Sequence, residues 1–198
     1  YGHVGRFVSY QHQLREILKQ NPTSVLEIGV GDGVVKHYLK ETTSITYTSV
    51  DIATDLHPDI VASLPHLPLD NDSYDIVCAF EVLEHLPFDQ FLPSLIEMAR
   101  VAKKAVIMSV PHFGPPIKFL LKIPFLPEIR WAWKVPYHPV HTFNGEHYWE
   151  IGKRGYTLQM IRKTLESAFT IEREWVPFEN QYHHFFVLTP KSTSTPKS

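Results

Sequence analysis

Three closely spaced glycines and an aspartate downstream are well suited to bind a nucleotide-like ligand. Gly29, Gly31 and Gly33 follow the apolar run 24–28, where a strand must turn sharply into a helix. Glycine adopts backbone angles that other residues resist, and it lets the main chain approach a ligand. Asp51 lies 22 residues after Gly29, at the predicted end of the next strand, where a carboxylate can accept both hydroxyls of a ribose.

The glycine spacing separates several kinds of nucleotide site. It is Gly-x-Gly-x-Gly, whereas a dinucleotide site has its third glycine, or an alanine, at the position of Val34. A nicotinamide-dependent oxidoreductase is therefore a disfavoured alternative. A phosphate-binding P-loop is excluded more firmly, because no Gly-Lys-Ser/Thr follows the turn.

Strands and helices alternate along the chain, which predicts parallel crossover units with both sheet faces covered. The predicted strands are 24–30, 45–51, 59–62, 74–80, 105–111, 170–176 and 183–188; the predicted helices are 6–20, 34–40, 88–102, 145–152 and 157–168. The last two strands follow each other closely, so they are expected to add an antiparallel edge to the sheet.

Three further segments accompany the glycine turn and Asp51, and together they resemble a known family. Residues 27–33, 67–77, 82–86 and 109–112 are similar to motifs of the class I S-adenosylmethionine-dependent methyltransferases, in particular the small type 11 group. The similarity is strong over 24–110 and weak beyond. It implies a Rossmann-like three-layer α/β sandwich with a mostly parallel, seven-stranded sheet that is antiparallel at one edge.

The resemblance also implies S-adenosyl-L-methionine as the cofactor and assigns residues to it. Glu27 and the glycine backbone would hold the methionine part, Asp51 the ribose, and the region of Ser63 the adenine. Ser63 stands where the family commonly has Asp, and a neutral hydroxyl is a weaker acceptor than a carboxylate. The full predicted set is Glu27, Gly29, Gly31, Gly33, Asp51, Ile52, Ser63, Leu64, Phe80 and Glu81.

Methyl transfer from a sulfonium is an in-line displacement whose main requirement is alignment. A general base is needed only where the acceptor carries a proton, and His112 and His85 are the candidates because they follow predicted strands at the ligand-binding edge. The expected substrate is a small molecule. A non-catalytic S-adenosylmethionine-binding regulator or subunit is the alternative.

Residues after the fourth predicted strand argue against a nucleic-acid substrate. Cys78-Ala79-Phe80-Glu81 lacks the Asn/Asp-Pro-Pro-Tyr/Phe pattern with which many methyltransferases bind a planar amino group. The formal charge of -2 likewise argues against a generally basic nucleic-acid binder. Nucleic acid is therefore an unlikely partner, and the oligomeric state is left open.

A group of histidines with one glutamate lies in the second half of the chain. His138, His141, His147 and Glu150 have metal-ligand types, but they match no tight metal motif, so no metal is expected. His147 and Glu150 are i and i+3 in the predicted helix 145–152 and are expected to face the substrate.

Charge and proline are unevenly distributed along the chain. Residues 51–100 contain ten acidic residues against one basic, whereas 111–145 contain four basic residues against one acidic and include seven prolines. Segment 112–143 is therefore predicted to be an inserted, substrate-side lid, rich in apolar residues and cations. Contact with a lipid headgroup or a membrane interface is an alternative for this segment that is not favoured.

The remaining expectations concern compartment and domain limits. Cys78 is the single cysteine, and no long apolar run or secretory signal pattern is visible, so a cytoplasmic location is expected. A single domain is predicted over 1–189, followed by a disordered tail at 190–198 that consists of Pro, Lys, Ser and Thr.

Overall fold

The computed structural model describes residues 3–191, and most of them surround one seven-stranded sheet. The strand order is β3-β2-β1-β4-β5-β9-β8. The strands are β1 Ser24–Ile28, β2 Thr46–Asp51, β3 Ile60–Val61, β4 Tyr74–Phe80, β5 Ala102–Pro111, β8 Phe169–Trp175 and β9 His183–Pro190. All neighbours are parallel except that β9 pairs antiparallel with β5 and with β8. The predicted sheet, with its antiparallel edge, is confirmed.

Helices cover both faces of the sheet and complete the three layers. The α-helices are α1 His3–Lys19, α2 Val34–Thr42, α3 Phe91–Val101 and α4 Leu158–Leu165, and 3-10 turns occupy Thr54–Leu56, Leu83–His85 and Phe88–Gln90. Side chains of α1 and α2 pack into one core cluster, and those of α3 and α4 pack into the other. None of the helices within residues 3–191 is long and apolar enough to cross a bilayer.

The central strands are buried on both faces because they lie between these layers. All residues of β4 from Asp75 to Ala79 are buried, and β1 is buried from Val25 onward. Such continuous apolar strands are typical of parallel sheets that are covered by helices. Their carboxyl ends at Ile28, Asp51 and Phe80 meet at one edge, which is where ligands bind in open parallel sheets.

The predicted helix 145–152 is wrong. This stretch consists of turns and short bridges, and its backbone is hydrogen-bonded to other segments. The Tyr148 amide donates to the Glu84 carbonyl at 2.8 Å, and the Ile151 amide donates to the Pro111 carbonyl at 3.0 Å. Gly145 and Gly152 adopt positive φ values of 96° and 89°, which do not suit a helix.

The insertion after β5 forms a second, separate sheet of two strands. Pro116–Leu121 (β6) pairs antiparallel with Ile129–Lys134 (β7), and we call residues 116–134 the hairpin. Every residue from 115 to 131 is exposed. The chain then returns to the sheet, where a short bridge joins His112 to Ile151.

The two chain ends are described only in part. Pro190 ends β9 and Lys191 donates its amide to the Ala168 carbonyl at 2.9 Å, so the predicted tail does not begin at 190. The rest of that predicted tail, 192–198, and residues 1–2 of the predicted domain lie outside the described residues.

Candidate functional site

The glycine turn after β1 lies directly against the turn after β4. Gly29, Gly31 and Gly33 have positive φ values of 81°, 51° and 69°. A Cβ on Gly29 would lie 2.4 Å from Cγ2 of Val82, whereas a Cβ on Gly31 or Gly33 would meet nothing within 4 Å. Gly29 is therefore required for packing, while the other two leave the backbone open toward the space in front of the sheet.

Asp51 holds the glycine turn at the end of β2. Its Oδ2 accepts a hydrogen bond from the Val30 amide at 2.8 Å, and its Oδ1 accepts one from the Ala53 amide at 2.9 Å. Each carboxylate oxygen keeps a further lone pair for a ligand. The predicted acid therefore lies beside the predicted glycines and is oriented by backbone donors on both sides.

Two adjoining cavities open at this edge of the sheet. The first, about 390 Å³ and called the polar cavity, is lined by Arg6, Ser9, Tyr10, Gln13, Glu27, residues 29–35, Phe80, Glu81, Glu84, His85, Glu146, His147, Asn180, Tyr182 and His183. The second, about 300 Å³ and called the apolar cavity, is lined by residues 28, 29, 31, 50–52, 56, 62–64, 80–82, 85 and 86. Every predicted cofactor-binding residue lines one or both cavities, and Gly29, Gly31, Phe80, Glu81 and His85 line both.

Glu27 provides a buried carboxylate in the polar cavity. The hydroxyl of Tyr47 donates a hydrogen bond to Glu27 Oε2. Burial raises the pKa of Glu27 to about 8, although the Tyr47 hydroxyl partly offsets this effect. A cationic ligand beside Glu27 would favour its ionised form.

Ser63 keeps an acceptor free in the apolar cavity. Its hydroxyl donates to the Leu64 carbonyl at 2.9 Å, so its hydrogen is engaged and its oxygen lone pairs remain. Ile52 and Leu64 line the same cavity and provide apolar surface. This combination suits a flat ring that carries an amino group.

Glu81 follows β4 with its backbone in the left-handed region, at a φ of 55°. A residue other than glycine is strained there, and such strain is concentrated at functional sites. Burial raises the pKa of the Glu81 carboxyl, and its Oε1 has no hydrogen-bond partner among residues 3–191. The turn thus holds a carboxyl group in the wall between the two cavities.

His147 and Glu150 are in contact, and they lie in a turn rather than in the predicted helix. His147 Nδ1 lies 3.1 Å from Glu150 Oε1, and the Tyr182 hydroxyl donates to the same oxygen at 2.9 Å. His147 lines the polar cavity, whereas Glu150 is buried behind it. His138 and His141 are bonded elsewhere, to the carbonyl oxygens of Gly152 and His147.

The two predicted bases have different positions. His85 lines both cavities. His112 lines neither cavity, because its ring stacks on His184 with the two Nδ1 atoms 2.9 Å apart. Burial lowers the pKa of His112 to about 3. This structure gives no support to a catalytic His112.

His183 is a cavity residue that the sequence did not suggest as a base. Its Nε2 lies 3.6 Å from Glu81 Oε2, and its Nδ1 lies 2.9 Å from the Ser9 hydroxyl oxygen. Burial lowers the pKa of His183 to about 4, so the ring is neutral at neutral pH. Neighbouring His184 points to the opposite side of the strand and meets His112.

Helix α1 also supplies wall residues that the sequence motifs missed. Arg6, Ser9, Tyr10 and Gln13 line the polar cavity. Arg6 Nη1 and the Tyr10 hydroxyl donate to Asp32 Oδ2 at 3.0 and 2.6 Å, which joins α1 to the glycine turn. The sequence signal was the polar pair Ser9 and Gln13, spaced i and i+4 within an amphipathic helix. The structure buries both side chains.

One protein-family model matches the central part of the chain. Residues 26–110 match the type 11 methyltransferase family model, which is described as a methyltransferase domain. They include the glycine turn, Asp51, Ser63 and Glu81. No curated protein sequence matches the chain.

Three solved structures with similar folds are distant in sequence. The match to the PH0226 protein of Pyrococcus horikoshii OT3 has a TM-score of 0.59 and 16% identity, and it covers 93% of this chain and 91% of that protein. A 1,6-didemethyltoxoflavin-N1-methyltransferase of Burkholderia thailandensis, with 1,6-didemethyltoxoflavin and S-adenosylhomocysteine bound, has a TM-score of 0.59, 17% identity and coverages of 91% and 76%. Magnesium protoporphyrin IX methyltransferase of Synechocystis PCC 6803, with S-adenosylmethionine bound, has a TM-score of 0.59, 16% identity and coverages of 95% and 81%. These likenesses establish the fold.

The contact between Gly29 and Val82 gives a prediction for stability. Gly29→Ala is expected to lower the free energy of unfolding by about 3 kcal/mol, because left-handed strain of about 1–2 kcal/mol combines with the clash against Val82. The matched control Gly31→Ala has the strain without the clash, so it is expected to cost about 1 kcal/mol. Urea denaturation would measure both.

A double variant separates the clash from the strain. Adding Val82→Ala to Gly29→Ala should restore about 1–2 kcal/mol beyond the sum of the single effects, because the atom that the new methyl group would meet is removed. Strictly additive effects in this double-mutant cycle would show that the two turns are not in contact.

Proposed function

We propose that this chain, an S-adenosylmethionine-dependent methyltransferase with a type 11 domain at residues 26–110, methylates a small polar molecule by in-line displacement. The observation that carries the proposal is the pair of adjoining cavities at the carboxyl edge of the sheet. One suits the nucleoside of the cofactor, and the other has room for both its amino-acid part and an acceptor.

The residues present fit the cofactor at three points. Ser63 and the apolar residues around it accommodate the adenine, and Asp51 lies where it can accept the ribose hydroxyls. Glu27, a buried carboxyl in the polar cavity, suits the ammonium group of the methionine part. When bound, S-adenosylmethionine supplies a methyl group on a positively charged sulfur, which is an excellent leaving group.

The main task of the protein is then to align the acceptor. Alignment of two reacting groups is worth about 7–11 kcal/mol of barrier. The acceptor side of the polar cavity is formed by titratable and hydrogen-bonding side chains, namely Glu81, Glu84, His85, Glu146, His147, Tyr182 and His183. Such a lining favours a polar acceptor that carries hydroxyl groups.

Two histidines of the polar cavity can accept a proton from such an acceptor. His85 donates its Nδ1 hydrogen to the Glu146 carbonyl at 3.0 Å, which leaves Nε2 as the basic atom. His183 lies beside Glu81, which would stabilise the ring once it is protonated. His147 is proposed to orient the acceptor, with Glu150 holding its ring.

The proposal is tested by product binding and by turnover. Calorimetric titration is expected to show that the chain binds S-adenosylhomocysteine and that Asp51→Ala weakens binding roughly 30-fold, since hydrogen bonds to a charged group contribute about 2 kcal/mol. Asp55→Ala is the matched control, because Asp55 is an exposed aspartate in the next turn.

Turnover separates an enzyme from a binding protein. Incubation with S-adenosylmethionine and a panel of hydroxylated small molecules should release S-adenosylhomocysteine with at least one acceptor. Failure of the unmutated chain to bind S-adenosylhomocysteine rejects the proposal outright. Binding without release on any acceptor would favour the regulatory alternative.

The buried Glu27 predicts a pH dependence of cofactor affinity. In the free protein its pKa is about 8, so it is mostly protonated at neutral pH. An ammonium group binds best to the ionised form, so binding near pH 7 should release about 0.9 proton, and affinity should rise up to roughly tenfold per pH unit toward pH 8. Calorimetry in buffers of different ionisation enthalpy measures the proton count.

The control for this linkage is Glu27→Gln, which has no proton to lose. It should bind S-adenosylhomocysteine more weakly and with a flat pH profile below pH 8. If the unmutated chain releases no proton, or if the variant keeps the slope, then Glu27 does not contact the ammonium group.

A further inference from the structure

Two histidines and a glutamate converge on the acceptor side of the polar cavity. Glu84, His85 and His147 each offer one ligand atom, and these atoms all lie within 4.8 Å of one another. All three residues line the polar cavity. The cluster joins the turn after β4 to the segment before α4, so the sequence contains no compact motif for it.

Glu84 is the residue of this cluster that most needs a partner. Its side chain is fully buried, and neither carboxylate oxygen has a hydrogen-bond partner among the described residues. A buried carboxylate without a partner is costly, and a bound cation would offset that cost.

Both histidines are held as metal-binding histidines usually are. His85 Nδ1 lies 3.0 Å from the Glu146 carbonyl oxygen, and His147 Nδ1 lies 3.1 Å from Glu150 Oε1. Because both partners act as acceptors, each Nδ1 carries its hydrogen and each Nε2 has a free lone pair. A second hydrogen bond of this kind fixes the tautomer and orients the ring of a metal ligand.

We propose that Glu84, His85 and His147 bind a divalent transition-metal ion in the polar cavity. Two imidazole nitrogens and one carboxylate oxygen suit Zn²⁺, Mn²⁺, Fe²⁺ or Co²⁺ rather than Ca²⁺. Three protein ligands leave coordination positions open to the cavity, as in catalytic rather than structural sites.

The ion's role, which rests on the proposed function, is to bind a hydroxyl oxygen of the acceptor. The bound hydroxyl loses its proton more readily, and the proton passes to His183 beside Glu81. The oxygen electron pair then forms the new bond to the methyl carbon while the bond from sulfur to that carbon breaks. His85 is a ligand in this arrangement and does not act as the base.

Titration of the chelator-treated protein with Co²⁺, followed by visible absorption, tests the site directly. The unmutated chain should bind one Co²⁺, and Glu84→Gln and His147→Ala should each bind it at least 100-fold more weakly. Glu150→Gln should weaken binding about 10- to 100-fold, because it loosens the His147 ring. His37→Ala and Glu166→Gln are matched controls at exposed positions.

Thermal unfolding of the same proteins provides a second readout. Co²⁺ or Zn²⁺ should raise the Tm of the unmutated chain and leave that of Glu84→Gln unchanged, while the metal-free variant should be at least as stable as the metal-free parent. Absence of binding of Co²⁺, Zn²⁺ and Mn²⁺, or equal Co²⁺ binding by His147→Ala, overturns the site. Binding of S-adenosylhomocysteine in the presence of chelator judges the proposed function separately.

The hairpin carries a second inference on independent grounds, because its two faces differ in chemistry. Register places Ile117, Phe119 and Leu121 of β6 opposite Trp133, Trp131 and Ile129 of β7, so six large apolar side chains share one face. Lys118, Leu120, Arg130, Ala132 and Lys134 share the other face. The hairpin is thus amphipathic.

The cationic face is turned toward the protein, and the apolar face is left exposed. Lys118 and Arg130 lie over the Phe178 ring, 5.4 and 5.6 Å from its centroid. On the other face Trp131 is 58% exposed, and at the tip Phe125 is fully exposed. Soluble monomers rarely expose an apolar patch of this extent.

We infer that the hairpin binds the interface of an anionic lipid bilayer. The paired Trp131 and Trp133 rings are typical of the headgroup region, and the apolar tip suits shallow insertion. Lys118, Arg130 and Lys134 are bonded to the protein, but Lys122 lies exposed beside the apolar tip, where it can contact an anionic headgroup. A second copy of the chain would cover the apolar face but would gain nothing from this charge.

Vesicle flotation tests this inference. The full chain should bind phosphatidylglycerol vesicles and should bind phosphatidylcholine vesicles much less. The double variant Phe125→Ser and Leu126→Ser should reduce binding to phosphatidylglycerol vesicles at least tenfold. Ile96→Ser is the control, since Ile96 is 55% exposed on α3. No binding to phosphatidylglycerol, or self-association that the tip variant abolishes, overturns the inference.

Discussion

The whole cleft depends on how closely two parallel strands bring their following turns together. β1 and β4 are hydrogen-bonded neighbours, so the turns at Gly29 and Val82 leave the sheet side by side. Gly29 has no side chain, and Val82 occupies the place where one would be. Next to this contact, the β4 turn has a left-handed backbone at Glu81 and forms the wall between the two cavities.

The second constraint on the site is that it contains several buried carboxyl groups and too few cations to pair with them. Glu27, Glu81 and Glu84 are all buried or nearly so, and burial raises the pKa of each. A folded protein maintains such groups only where a ligand or a function compensates for them. In the proposals made above, the ammonium group of the cofactor compensates for Glu27, and a metal ion compensates for Glu84.

The sequence predicted the parts of the fold that depend on local patterns. The buried strand Tyr74–Phe80, the glycine turn and Asp51 were all identified, because apolar runs and turn residues are read along the chain. The helix 145–152 failed because its backbone bonds to distant partners such as the Glu84 carbonyl. His112 was misplaced for a similar reason, since stacking on His184 is a contact between strands that no spacing reveals.

The division of the cleft explains why the cofactor was easier to predict than the acceptor. The predicted cofactor residues lie within 26–110, where the family model matches. The proposed acceptor-side residues come from three separate places, namely the turn after β4 around Glu84, the turn around His147, and the start of β9 at His183. A cofactor shared by a family preserves its motif, whereas an acceptor is recognised by segments that only the folded chain brings together.

The uneven distribution of charge along the chain also separates the cleft from the hairpin. The acidic segment 51–100 supplies Asp51, Glu81 and Glu84 to the cavities, whereas the basic segment 111–145 contains the hairpin, which lines neither cavity. The lid predicted for 112–143 therefore stays a prediction. The exposed apolar face of the hairpin is better explained by the lipid bilayer that we infer as its partner.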